Sequence, residues 1–407
     1  MNEIKTSLLK TVGYQLFGGE RPRISADILA VLEEAKAQTV FTGVFPFFRA
    51  ELQQSGQGGF VAAQEIFFGN VIKNTNNFME HDELNKLMTK NDIPYCTLKG
   101  LASAYYYPDP SLREMGDVDY LVQEADFETA KQAALNAGFA IDHGDEPDGI
   151  HIAFKREPMS IWEQHRTING IPNGEVGENI QSEIDRTIKT SEQITLDGVI
   201  CRIPDAFHHG LIMLLHVASH MTSEGIGLRH LCDWAVFANR LGNDGFDELF
   251  EEKLTRFGLW KFAQILTLVS EKYLGIAHME WAQNPEVTDE HLEAVMEDIM
   301  NGGNFGKKDL NRYREIKYIS NRGERTVDNK NVVDQVFGTL NQKTCSDYPW
   351  IKKHKVFLPI GWAAEGGRYL ALLITGKRKS KGTSAMLREA AKRKEIYSKM
   401  ELFRINE

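Results

Sequence analysis

The chain has 407 residues, 42% of them hydrophobic and 26% charged, so it can bury more than one core and is not disordered over most of its length. Its formal charge of −10 argues against a surface that binds nucleic acid generally by neutralising phosphates. The charge is uneven: from Trp350 onward 14 Lys/Arg face 5 Asp/Glu, so a basic tail of +9 follows a body of −19.

The first ninety residues read as helices. Ile28, Leu29, Val31 and Leu32 follow helical spacing with Ser25 as the expected cap, Gln53 to Gly59 reads as a loop, and a long helix runs from about Phe60 to Lys90 with Asn, Glu and Lys on its polar side. Asp92–Ile93–Pro94 signals a turn, after which Tyr95 to Leu98 is a short β-prone run that stops at Lys99–Gly100. A helix is expected over Leu101 to Tyr107, a strand over Asp117 to Val122, and a helix over Phe127 to Ala137 that closes at Gly138. Ile150 to Lys155 and Met159 to Arg166, joined by Arg156–Glu157–Pro158, predict an antiparallel hairpin. From Pro204 the pattern turns helical again, with Leu211, Leu214, Leu215 and Val217 on one stripe and Leu228, Leu231, Trp234 and Ala235 on the next. His208–His209 belongs to a helix start, and helical spacing continues with breaks to about Asn341.

The expected class is α+β: a small mixed sheet over 91–203, preceded by a helical segment over 1–90 and followed by a larger helical domain over 204–345 and a basic segment over 346–407. Lys392–Arg393–Lys394 with Met386, Leu387, Ala390, Ala391, Ile396 and Tyr397 predicts an amphipathic helix there. It either packs its apolar side on the body or, together with Lys377–Arg378–Lys379–Ser380–Lys381, touches an anionic surface. Cys96, Cys201, Cys232 and Cys345 match no zinc or haem spacing and read as free thiols. Lys10 interrupts the apolar stretch of the N-terminus, and no window supplies the ~18 uninterrupted apolar residues of a membrane span, so a cytoplasmic location is expected.

The strongest local feature is Gly116–Asp117–Val118–Asp119–Tyr120–Leu121–Val122. Alternate residues of a strand share a face, so Asp117 and Asp119 point one way, ~7 Å apart, while Val118, Tyr120 and Val122 point to a core. Such a carboxylate pair suits Mg²⁺, with Mn²⁺ as a substitute, in phosphoryl transfer; two solvated acids at a strand end are the alternative. In Ser160–Ile161–Trp162–Glu163–Gln164–His165, Glu163 and His165 share a face. Glu163 can then join the pair from a neighbouring strand as a ligand or base, or form a cross-strand pair with an arginine. His216 and His220, four apart on a helix, lack the glutamate of a zinc-protease motif; they read as a core pair bonded to Asp233 or Arg229, or as the wall of a pocket.

The order Thr97–Leu98–Lys99–Gly100–Leu101–Ala102, Tyr106–Tyr107–Pro108, then Arg113–Glu114–Met115–Gly116–Asp117–Val118–Asp119 resembles a bacterial family of uncharacterised nucleotidyltransferases, assigned to the DNA polymerase β-like nucleotidyltransferase superfamily. Glu163-x-His165 and the stretch with His216, His220, Arg229 and Asp233 are similar as well. The resemblance implies metal-dependent transfer of a nucleoside monophosphate from an NTP to an acceptor, most simply a sugar or small-molecule hydroxyl. Asp117, Asp119 and Glu163 would hold the metal; Lys99, Gly100, Ser103 and Arg113 would bind the triphosphate; His165, His216, His220 and Arg229 would face the acceptor. One departure stands out. The superfamily's Gly-Gly or Gly-Ser is replaced by Gly100–Leu101, seventeen positions before Asp117. That departure motivates a second reading, a nucleotide- or protein-binding module without catalysis; a third reading keeps the enzyme but makes a protein its acceptor.

Overall fold

The computed structural model describes residues 1–56, 59–142, 149–308 and 383–405, with Pro359, Gly361 and Trp362. Three helices open the chain: α1 (Glu3–Phe17), α2 (Ile28–Ala37) and α3 (Phe41–Ser55). The cap of α2 is Asp27, whose carboxylate accepts from the Ala30 N–H at 2.8 Å, whereas the Ser25 hydroxyl is spent on Glu3. Helix α3 runs through Gln53 and Gln54, so the expected loop is shorter than its composition suggested. The long helix α4 (Gly59–Lys90) follows.

The sheet has five strands, β1 (Tyr95–Thr97), β2 (Val118–Val122), β3 (Ala140–Ile141), β4 (His151–Lys155) and β5 (Trp162–His165), in the order β1-β2-β5-β4-β3. Strand β2 runs parallel to β5 and every other neighbouring pair is antiparallel, including the expected hairpin of β4 with β5. Between β1 and β2 lies the short helix α5 (Gly100–Ala104), which stops before Tyr107. Helix α6 (Phe127–Asn136) crosses from β2 to β3, and Gly138 takes φ +90° just beyond it. Alternation along β2 is as expected: Val118, Tyr120 and Val122 pack with Phe127, Ala130, Ala134 and Trp162.

After α7 (Glu175–Ile184) and α8 (Thr187–Thr190) comes a hairpin that the sequence reading did not anticipate, β6 (Glu192–Leu196) with β7 (Val199–Ile203). Its turn is Asp197–Gly198, both at positive φ, which is the turn chemistry of a two-residue hairpin loop. Val199, Cys201 and Ile203 bury one side of β7 against Phe78, Leu101, Ala104 and Met115.

The helical part comprises α9 (Ala206–Met221), α10 (Leu228–Arg256), α11 (Trp260–Leu274), α12 (Asp289–Gly302) and α13 (Thr383–Ser398). Asp205 caps α9 by accepting from the His208 N–H at 2.9 Å, so His208–His209 does mark a helix start. The N-terminal helices share one apolar core with this part, with Val12, Phe45 and Phe48 in the same cluster as Leu214, Trp234 and Ile265. Helix α13 buries Ala390, Ile396 and Tyr397, and it is tied to α12 by Arg393 and Tyr397 on Asp298 (3.0 and 2.6 Å). Arg393, at the centre of one basic run, is therefore spent on the body; the run Lys377–Lys381, Cys345 and the helical reading beyond residue 308 lie outside the described residues. Among the described residues, no helix is long and apolar enough to cross a membrane, and Cys96, Cys201 and Cys232 are buried free thiols.

Candidate active site

Helix α4 positions the site with a stripe of buried polar side chains, Asn74, Asn77, Glu80 and His81. Asn74 donates to the carbonyls of Ser111 and Arg113 (3.2 and 2.9 Å) and accepts from the Met115 N–H at 2.9 Å. Asn77 donates to the Gly116 carbonyl at 3.1 Å, so the stretch that delivers Asp117 is fastened directly to the helix. Glu80 accepts from the Ser160 N–H at 3.0 Å and from the Trp162 indole at 3.2 Å, which fixes the start of β5. The polar side expected for this helix is thus, at Asn74, Asn77 and Glu80, a buried one. The spacing of Asn74, Asn77, His81, Leu84 and Met88 was the signal that they share the buried face.

Register then assembles the carboxylates. In the parallel β2–β5 pair Asp119 lies opposite Glu163, and Leu121 opposite His165. His165 Nε2 stands 3.1 Å from Asp119 Oδ1 and 3.3 Å from Glu163 Oε2. Lys99 Nζ donates to the same Asp119 oxygen at 3.0 Å. Burial works against a charge on Asp119, yet Lys99 and His165 outweigh it and hold the carboxyl well below its usual range. Lys99 is raised in turn, because Asp119 and Glu163 more than offset the cost of burying its ammonium. Asp117, one residue ahead of β2, is exposed at the mouth. Partial loss of solvent, with Asp119 and Glu163 as like charges, lifts its carboxyl to about 6.

The backbone at this point is strained. Lys99 sits at φ +45°, a region L-residues seldom occupy, and there it turns the chain from β1 into α5. A Cβ on Gly100 would lie 3.7 Å from the Asp117 carbonyl and 4.0 Å from His81 Nε2, so strand, turn and helix α4 meet closely there. His81 is fully buried with neither ring nitrogen hydrogen-bonded, and burial lowers it to about 4.

The other expected site residues fall in two places. The Arg113 guanidinium is buried and forks onto Asp233, with Nε and Nη2 each donating at 2.8 Å, and the Tyr107 hydroxyl donates to the same carboxylate at 2.8 Å. Ser103 is buried inside α5. His216 and His220 on α9 gather with His230 at the start of α10, their ring centroids 4.4, 5.4 and 6.0 Å apart, and Phe305 lies 4.9 Å from His220. Asp233 is therefore not their partner. Burial, followed by Lys99, drives His216 well below its usual range and His220 to about 4, so both are uncharged near neutrality. Arg229 is half-buried, with Nη1 donating to the Glu114 carbonyl at 3.0 Å.

The donor set fits a divalent cation. Asp119, Glu163 and His165 each offer one atom, and all three atoms lie within 4.8 Å of one another. Lys99 already supplies Asp119 with a positive partner where an ion would supply a stronger one. Asp117, by contrast, lies outside this convergent group.

Comparison with solved structures finds a likeness to an antigenic nucleotidyltransferase-like protein from Paracoccidioides brasiliensis, at 14% identity and a TM-score of 0.32, covering 55% of this chain and 93% of that one. No curated protein matches. The family model described as uncharacterised nucleotidyltransferase matches residues 31–275, more than half of the chain, a span that includes Lys99, Asp119, Glu163 and His216, and the protein belongs to that family.

Proposed function

We propose that the protein transfers a nucleoside monophosphate from an NTP to an acceptor hydroxyl, in a reaction that depends on Mg²⁺ or, in its place, Mn²⁺. The observation that carries this reading is Asp119 in register with Glu163, with Lys99 on the same carboxylate, in a chain of a nucleotidyltransferase family. The acceptor oxygen attacks the α-phosphorus, the bond to the β-phosphate bridging oxygen breaks, pyrophosphate leaves, and a site carboxylate takes the hydroxyl proton. A divalent ion held by Asp119 and Glu163, with Asp117 as a further ligand from the exposed end of the strand, would supply charge neutralisation for the attacking and leaving oxygens.

The chain's own groups divide the remaining work. Lys99, with Gly100 beside it at the start of α5, would exchange its hold on Asp119 for the triphosphate. Arg113 supports the site from behind by locking the Tyr107–Arg113 segment onto Asp233. His216, His220 and Arg229 would offer neutral imidazoles and a guanidinium to the acceptor, a sugar or small-molecule hydroxyl.

A second reading, nucleotide binding without transfer, draws on a specific observation. Arg113 is committed to Asp233 and Ser103 is buried, so two of the groups expected on the triphosphate are taken up elsewhere. The experiment incubates the protein with each α-³²P NTP, Mg²⁺ or Mn²⁺ and a panel of hydroxyl acceptors or a cell extract, and measures pyrophosphate and label. Labelled acceptor with one NTP supports transfer. Retained NTP without pyrophosphate under every condition supports binding alone, and label in protein bands would identify a protein acceptor.

A further inference from the structure

We infer that His165 is itself a metal ligand, and that its nitrogen tunes this centre to Mn²⁺ over Mg²⁺. The inference rests on the metal-dependent reading above and assigns His165 a place on the ion instead of on the acceptor.

The convergent group in the structure is a mixed one. Two carboxylates and one imidazole, Asp119, Glu163 and His165, bring a ligand atom each within 4.8 Å, while Asp117 stands apart. Sheet register enforces this. Glu163 and His165 are alternate residues of β5 and share a face, and Asp119 is fixed opposite Glu163 on β2. His165 is 3% exposed, its ring stacked on His151 at 5.1 Å, so the imidazole plane is held before any ion arrives. Its Nε2 points between the two carboxylates, at 3.1 and 3.3 Å. Nδ1 is buried without a hydrogen-bond partner and would carry the proton when Nε2 gives its lone pair to an ion.

The donor types decide the metal. Mg²⁺ is satisfied by oxygen in a near-ideal octahedron and gains little from imidazole. First-row transition ions accept nitrogen readily, and Mn²⁺ is the one among them that also favours carboxylates. Because Nδ1 lacks the outer hydrogen bond that usually strengthens a histidine ligand, the preference is modest.

The test uses the untagged full chain. Mn²⁺-loaded protein is examined by electron spin-echo envelope modulation for ¹⁴N coupling, and Mn²⁺ and Mg²⁺ affinities are measured by titration calorimetry for wild type and His165→Asn. The expected result is ¹⁴N modulation in wild type that vanishes in the variant, with Mn²⁺ binding weakened about 10-fold and Mg²⁺ binding nearly unchanged. Mn²⁺ bound without nitrogen modulation in wild type overturns the inference and leaves the proposed function standing; this arm needs no variant to fold. Equal weakening of both ions in His165→Asn also overturns it. Failure of wild type to bind either ion, with or without NTP, overturns the inference and the metal-dependent reading together.

Discussion

Asp119 and Glu163 face each other across the parallel β2–β5 pair, 44 positions apart in the chain and neighbours in the sheet. Each is held by a different device. Asp119 is ion-paired to Lys99, and the strand that carries Glu163 is anchored by Glu80 of α4. The site is thus a product of register, and its integrity depends on Glu80 of α4 as well as on the charged groups at its centre.

Arg113 and Asp233 form a buried, two-pronged ion pair between the segment before β2 and α10. Arg113→Ala leaves a buried carboxylate uncompensated and is expected to cost about 3–5 kcal/mol. Tyr107→Phe removes one bond to the same charge, with a loss of about 1.5–3 kcal/mol. Denaturant melts check both. A loss of nucleotide affinity at unchanged stability in Arg113→Ala would instead mean that the guanidinium leaves Asp233 for phosphate.

Glu80 receives the Ser160 N–H and the Trp162 indole in a buried setting. Glu80→Ala is expected to destabilise the protein by about 2–3 kcal/mol, because it orphans buried donors. Since Trp162 precedes Glu163, the rate of transfer should fall as well, with Glu80→Gln intermediate in both respects. Stability and turnover measured on the same preparations test the coupling.

His209 packs on Tyr106 and Phe237, is 1% exposed, and is lowered by burial from 6.5 to about 3. Between those values the unfolded chain takes a proton that the folded chain refuses, so stability falls as pH drops from about 6.5 toward 3, by up to about 1.4 kcal/mol per unit. His81, lowered to about 4, adds to the same acid loss. His209→Phe keeps the ring packing and removes the titration. Its melting temperature should therefore decline less steeply than that of wild type between pH 6.5 and 4.5.

Much of the sheet and its carboxylates was legible because strand alternation is a local property: Asp117–Val122, Glu163-x-His165 and the β4–β5 hairpin all announce themselves within a few residues. The α+β class and the helix boundaries near Gly138 and Pro204 were equally local. The buried polar stripe of α4 was not read, because Asn, Glu and His look solvated until their partners, the carbonyls of Ser111 to Gly116, are known. The Asp233 partnership was missed for a related reason: it joins residues 120 positions apart, and nothing near Arg113 names its carboxylate. The β6–β7 hairpin, with Asp197–Gly198 in plain view, was a turn signal passed over.

The most direct measurement is NTP binding with and without Mg²⁺ by thermal shift, paired with α-³²P transfer, on wild type and Asp117→Asn. Asp117 is exposed and stands beside two like charges, so its neutral replacement should leave the melting temperature of the ligand-free protein unchanged or slightly higher. One NTP should then stabilise wild type only when the metal is present, and the variant should lose both that shift and the transfer. An Asp117→Asn protein that transfers label as fast as wild type would contradict the account.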